Sequence, residues 1–79
     1  MTVSVYTLEN TLFEGEAEKI IARTPLGEIS ILDNHLPLIS SLVGSELCIV
    51  DKENKKNIIK INSGFIEVRP GSEVMILAN

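Results

Sequence analysis

Seventy-nine residues suffice for one small domain, 1–79, and a core of that size rarely supplies more than about 3–5 kcal/mol without a staple or a partner. The single cysteine, Cys48, excludes an internal disulfide, and a net charge of −4 with scattered Lys and Arg argues against a nucleic-acid footprint. No stretch approaches the roughly 18 consecutive apolar residues of a membrane span, and the opening MTVSVYT has neither the basic nor the long apolar part of a signal peptide; the expectation is a soluble, cytosol-facing protein.

From Thr2 to Leu8 the chain alternates, with Val3 and Val5 on one face and Ser4 and Tyr6 on the other, which reads as a half-buried strand. Glu9-Asn10 is a turn. Leu12-Phe13 opens a second strand, Gly15 lets it bend, and Glu16 to Thr24 continues it. Ala17, Lys19, Ile21 and Arg23 then share one face, and Glu18, Ile20 and Ala22 the other. A helix over Glu16 to Arg23 is the alternative, although Gly15 is a poor cap and Pro25 cuts it short. Pro25-Leu26-Gly27 is a turn.

Gly27 to Leu38, GEISILDNHLPL, is the most distinctive stretch. Ile29 and Ile31 alternate with Glu28, Ser30 and Leu32. Asp33-Asn34 ends that strand, because both residues tolerate a left-handed backbone and bond their own main chain. The only histidine, His35, follows at the tip. Leu36-Pro37-Leu38 then leads out in extended form. Leu38 to Val43 is a short apolar strand ended by Gly44. In Glu46 to Asp51, Leu47 and Ile49 alternate with Cys48 and Val50, and apolar residues on both faces predict that both are covered. Asp51 to Asn57, DKENKKN, has no apolar residue and reads as a solvated hairpin turn. Ile58 to Ser63, Phe65 to Arg69 and Glu73 to Ala78 are strands, with Gly64 and Pro70-Gly71 between them, and all five glycines read as strand punctuation. The sum is an all-β fold: a small flattened β-sandwich or barrel of about eight to ten short, mostly antiparallel strands in two sheets.

Catalytic chemistry finds no support. A nucleophile needs a base within reach; the one candidate base is His35, and Cys48 lies in a predicted core strand. Asp33, His35 and Glu28 could supply three metal ligands where a structural site wants four. Phosphate cradles need a glycine-rich loop opening a helix, and Tyr6, Phe13 and Phe65 are too few for a base-stacking platform. No cofactor or metal is expected.

Three segments together resemble the epsilon subunit of the F-type ATP synthase. The family commonly reads GEIGILPGHAPL where this chain has GEISILDNHLPL. Thr11 to Ile20, TLFEGEAEKI, is similar to the family's paired strands, and Ser63 to Leu77, SGFIEVRPGSEVMIL, to its SGGFVEVxxNxVTVLA ending. The segments share order and spacing and span almost the whole chain.

The resemblance implies a non-catalytic rotor subunit of the central stalk. Such a subunit binds the gamma subunit and the c ring and couples ion translocation to ATP synthesis on the cytosol-facing side of the membrane, without inserting into it. By position, Glu28 matches the family's acid near the c-ring loops. Asp33, Asn34, His35 and Leu36 match the turn placed at the same end, and Thr7, Leu38, Ser40 and Ser63 resemble the gamma-facing side. Leu36 and Leu38 about Pro37 would form a preformed apolar contact. Asp33-Asn34 replaces the family's Pro-Gly, a single glycine, Gly64, replaces its double one, and Leu36 replaces an alanine. Two regulatory helices that follow the sandwich in most members, and bind ATP in some, would begin where this sequence stops, so no ATP binding is expected of residues 1–79. The alternative is a small β-sandwich binding module unrelated to ATP synthase.

Overall fold

The computed structural model describes residues 1–44 and 46–79. They form nine strands: β1 Thr2–Tyr6, β2 Thr11–Glu16, β3 Lys19–Thr24, β4 Gly27–Leu32, β5 Leu38–Leu42, β6 Glu46–Val50, β7 Lys56–Lys60, β8 Gly64–Arg69 and β9 Glu73–Ala78. They pair in two sheets, a five-stranded one in the order β2-β1-β9-β8-β5 and a four-stranded one in the order β4-β3-β6-β7. Each pair is antiparallel except β1 with β9, which brings the first and last strands side by side. The two sheets face each other across one core, as a β-sandwich does.

Alternation selects the core. Val3, Val5, Leu42, Ile66, Val68, Val74 and Ile76 come from the five-stranded sheet, and Ile20, Ala22, Ile31, Leu47 and Ile49 from the four-stranded one. At roughly 1.5–3 kcal/mol for each large side chain withdrawn from water, this layer drives folding.

The chain changes sheets at Ala17-Glu18. Ala17 N–H donates to Met1 C=O (2.9 Å) and Glu18 N–H to Val50 C=O (2.8 Å), which ties the corner to both sheets. The crossing shifts the side-chain phase: Ala17 and Ile20 are both buried, although straight alternation puts them on opposite faces. The run from Leu12 to Thr24 is therefore two strands, and Ala17 belongs with Ile20 and Ala22 rather than with Lys19, Ile21 and Arg23. The β3–β4 hairpin closes as expected at Pro25-Leu26. Thr24 Oγ1 donates to Gly27 C=O (3.0 Å) and accepts from Leu26 N–H (3.1 Å).

Gly64 is more than punctuation. It is the first residue of β8, opposite Ala78, and a β-carbon there would collide with the main-chain oxygen of Leu77. No side-chain rotation relieves that contact. Gly64→Ala is expected to lower unfolding free energy by about 1–3 kcal/mol, the usual cost of overpacking, as read by urea denaturation. A loss under about 0.5 kcal/mol would show that β8 and β9 separate readily at this end.

Candidate partner interface

A two-layer sandwich has one interior, so a strand apolar on both faces must leave one of them uncovered. β9 is such a strand, with Met75 and Leu77 on its second face, and β8 adds Phe65 beside Leu77. Ile66, Val68, Val74 and Ile76 point inward and are buried, which turns Phe65 and Leu77 outward at 61% and 52% exposure. Register sets Tyr6, Leu77, Phe65 and Ser41 side by side across β1, β9, β8 and β5. The next row outward-facing on these strands is Ser4, Met75, Glu67 and Ile39, and Ile39 is 75% exposed. The outer face of the five-stranded sheet thus carries an apolar island of Ile39, Phe65, Leu77, Met75 and Tyr6.

The island runs into a groove of about 660 Å³ at one end of the sandwich. The β1–β2 turn supplies Thr7 and Leu8, β5 and its exit supply Ser41 to Val43, and Ser63, Gly64 and Asn79 close the floor and far side. Thr7 holds its turn by accepting from Asn10 N–H (2.9 Å). Leu8 is fully exposed at the lip.

The turn after β4 forms at the opposite end. Asn34 takes φ 63°, the left-handed conformation anticipated for it, and so does Ser72 at φ 56° in the turn between β8 and β9. The two residues bond each other: Asn34 N–H donates to Ser72 Oγ (3.0 Å), and Ser72 Oγ donates to Asn34 Oδ1 (3.3 Å). Asp33 Oδ1 lies 2.6 Å from the Met1 ammonium. His35 N–H donates to Leu32 C=O (3.2 Å), and its Nδ1 lies 2.7 Å from Leu36 C=O. The histidine is thus held by its own turn.

Several residues singled out in the sequence are not where that reading grouped them. Glu28 is at the far end of β4 from Asp33, about 16 Å away at 3.3 Å per residue, beside Arg23 (3.9 Å). Glu28 and the Asp33–Leu36 turn therefore occupy opposite ends of the sandwich. The same separation keeps Glu28, Asp33 and His35 from converging on a metal. Thr7 and Ser63 do meet, in the groove. Ser40 does not join them; it shares the inward phase of Leu38 and Leu42, and its neighbour Ser41 lines the groove instead. Leu38 packs half-buried against the core, so of the two leucines flanking Pro37 Leu36 alone stands out, at 78% exposure. Cys48 also needs correction. The outer face of β6 has no layer over it, and Cys48 lies there half-buried between its cross-strand neighbours Ile21 and Ile58.

Phe65, Leu77 and Ile39 were the residues that sequence reasoning passed over. Their signal was present in FIEVR and EVMILA, where large apolar residues fall on both phases of the alternation.

The fold and this surface define a class: a two-sheet β-sandwich that leaves an apolar patch of one sheet face open to solvent. The chain belongs to the family "ATP synthase, Delta/Epsilon chain, beta-sandwich domain", whose description matches residues 1–79. It is 42% identical over 78 residues to the ATP synthase epsilon chain of Brevibacillus brevis, covering 99% of this chain and 58% of that protein. It is 41% identical over 76 residues to that of Shouchella clausii, covering 96% and 56%. The chain spans just over half the length of these relatives. Among solved structures, its fold matches a chain of the Euglena gracilis mitochondrial ATP synthase, in an assembly with OSCP, F1 and c ring, at TM-score 0.89 and 23% identity. That match covers 96% of this chain and 48% of the other. A chain of the Tetrahymena thermophila mitochondrial ATP synthase central stalk and c ring matches at TM-score 0.82 and 17% identity, covering 99% and 62%.

Proposed function

We propose that this domain is the sandwich part of a non-catalytic rotor subunit of an F-type ATP synthase, and that it docks on the gamma subunit through the outer face of its five-stranded sheet. The observation that carries this reading is the apolar island of Ile39, Phe65 and Leu77 in a chain of the epsilon family. Torque transmission asks for a stiff body and no chemistry, and a closed pair of sheets supplies the first. Such a subunit works peripherally, at the cytosol-facing side of the membrane. Among the described residues no helix is long and apolar enough to cross a membrane.

Only one end of the sandwich can rest on the polar loops of a c ring. The Glu28 end is the better candidate, since it adjoins the groove that gathers Thr7 and Ser63, so one continuous surface would meet both partners. The Asp33–Leu36 turn then points away from the ring. A rim carboxylate such as Glu28 tunes orientation more than affinity.

The test is a calorimetric titration of the chain with a gamma subunit, supported by gel filtration. One-to-one binding with a clearly negative heat-capacity change is expected from apolar burial; no binding at tens of micromolar would end the proposal. Retention on gamma plus c ring, measured by pull-down, is expected to fall with Glu28→Lys and to be indifferent to Leu36→Ser. The reverse pattern would put the turn, and not Glu28, at the ring.

A further inference from the structure

The apolar island is half of a larger, electrically uneven face. Towards the Met1 end, the outer surface of the five-stranded sheet carries Glu14, Glu16, Glu67 and Glu73. Glu16 lies opposite Thr2 and accepts its hydroxyl (2.8 Å), and Glu14 accepts the Tyr6 hydroxyl (2.9 Å), so both are aimed along this face. Of the chain's seven Lys and Arg, only Arg69 stands here. It bridges Glu67 (3.1 Å) and Glu73 (3.4 Å). The Glu67 hydrogen bond, followed by the charge of that carboxylate, raises its pKa, so it stays a cation at any accessible pH. Four carboxylates against two cations, the Arg69 guanidinium and the Met1 ammonium 3.9 Å from Glu16, leave the rim acidic. The outer face of the four-stranded sheet is the opposite, with Lys19, Arg23, Lys56 and Lys60 against Glu28 and Glu46.

We infer that the partner surface for this face pairs an apolar anchor with a basic patch. The anchor enters the groove at Phe65 and Leu77, and Lys or Arg side chains lie opposite Glu14 and Glu16, about 7 and 13 Å along the strands from that row (two and four residues at 3.3 Å each) and two strands across from Leu77. The inference rests on gamma docking through this sheet and adds what the gamma surface must present. The division of labour follows from position. Buried apolar contact holds the complex, whereas an exposed acidic rim steers approach and sets orientation. Carboxylates at the rim act over about a Debye length, ~10 Å at 0.1 M salt, so their effect belongs to association and fades as salt rises.

Stopped-flow association of the full chain with the gamma subunit tests this. The double change Glu14→Gln/Glu16→Gln is expected to slow association about threefold to tenfold at 20 mM salt, within the range that steering contributes. Dissociation should be unaltered, and the difference should shrink below twofold at 0.5 M salt. Glu46→Lys changes net charge equally on the outer face of the four-stranded sheet and is expected to leave the rate alone. Association that is indifferent to Glu14 and Glu16, or that slows equally with Glu46→Lys, overturns the basic-patch inference while gamma docking stands. Absence of any binding by the unaltered chain sinks the docking itself.

Discussion

Phe65→Asp is expected to weaken binding to the gamma subunit at least about 100-fold, roughly 3 kcal/mol, in the range of an interface hot spot. Phe65 has its neighbour Leu77 on one side and Ser41 on the other, with Ile39 one row away. A partner covering that island desolvates the aspartate and offers it no cation, which costs far more than the lost contact alone. The free chain should be indifferent, since the ring is already 61% exposed. Its denaturation midpoint is expected to stay within about 0.5 kcal/mol. Leu26→Asp is the control: Leu26 is fully exposed, but at the tip of the β3–β4 hairpin and off this face. Undiminished affinity of Phe65→Asp, measured by calorimetry beside an unchanged circular-dichroism spectrum, would move the interface to another surface.

Leu47→Ala is the largest expected change in the fold itself. Leu47 is fully buried on β6, facing the opposite sheet. Removing three carbons from such a site costs about 2–5 kcal/mol, depending on how far the neighbours collapse. A 79-residue chain has about 4–12 kcal/mol at the usual 0.05–0.15 kcal/mol per residue. The variant should therefore lose a large part of its stability in urea, and a substantial unfolded fraction at 37 °C would follow if the parent lies at the low end. Saturating gamma should restore part of it, because a partner that binds only the folded state adds RT ln(1 + [L]/Kd). Ile58→Ala on the same sheet's outer face is expected to cost far less, since Ile58 is half exposed. Equal losses at Leu47 and Ile58 would mean that the core is not the layer between the sheets.

The strands were legible because they are short, alternating and bounded by turn chemistry that acts locally. Thr24 to Gly27 closes a hairpin, Asn34 takes a left-handed backbone, and Asp51 Oδ1 accepts from Glu53 and Lys55 N–H (both 2.9 Å), as the DKENKKN turn suggested. Each of these choices involves residues within a few positions of one another. The family resemblance was legible for the same reason, since its three segments are local patterns in a fixed order.

The candidate surface was not legible in that way. Whether Phe65, Leu77 and Ile39 are covered depends on how many layers the chain builds, and a strand apolar on both faces is compatible with either outcome. The sequence by itself determined the strand pattern, the turns and one face of each strand as core, since alternation and turn stereochemistry are properties of neighbouring residues. Only the tertiary structure decided which strands became neighbours. It joined β1 to β9 in parallel, shifted the phase at Ala17-Glu18, separated Glu28 from His35 along β4, and left β5, β8 and β9 with an apolar face towards solvent. The physical reason is that sheet pairing joins residues more than sixty positions apart, and the order in which they pair is set by burying all the inward faces at once.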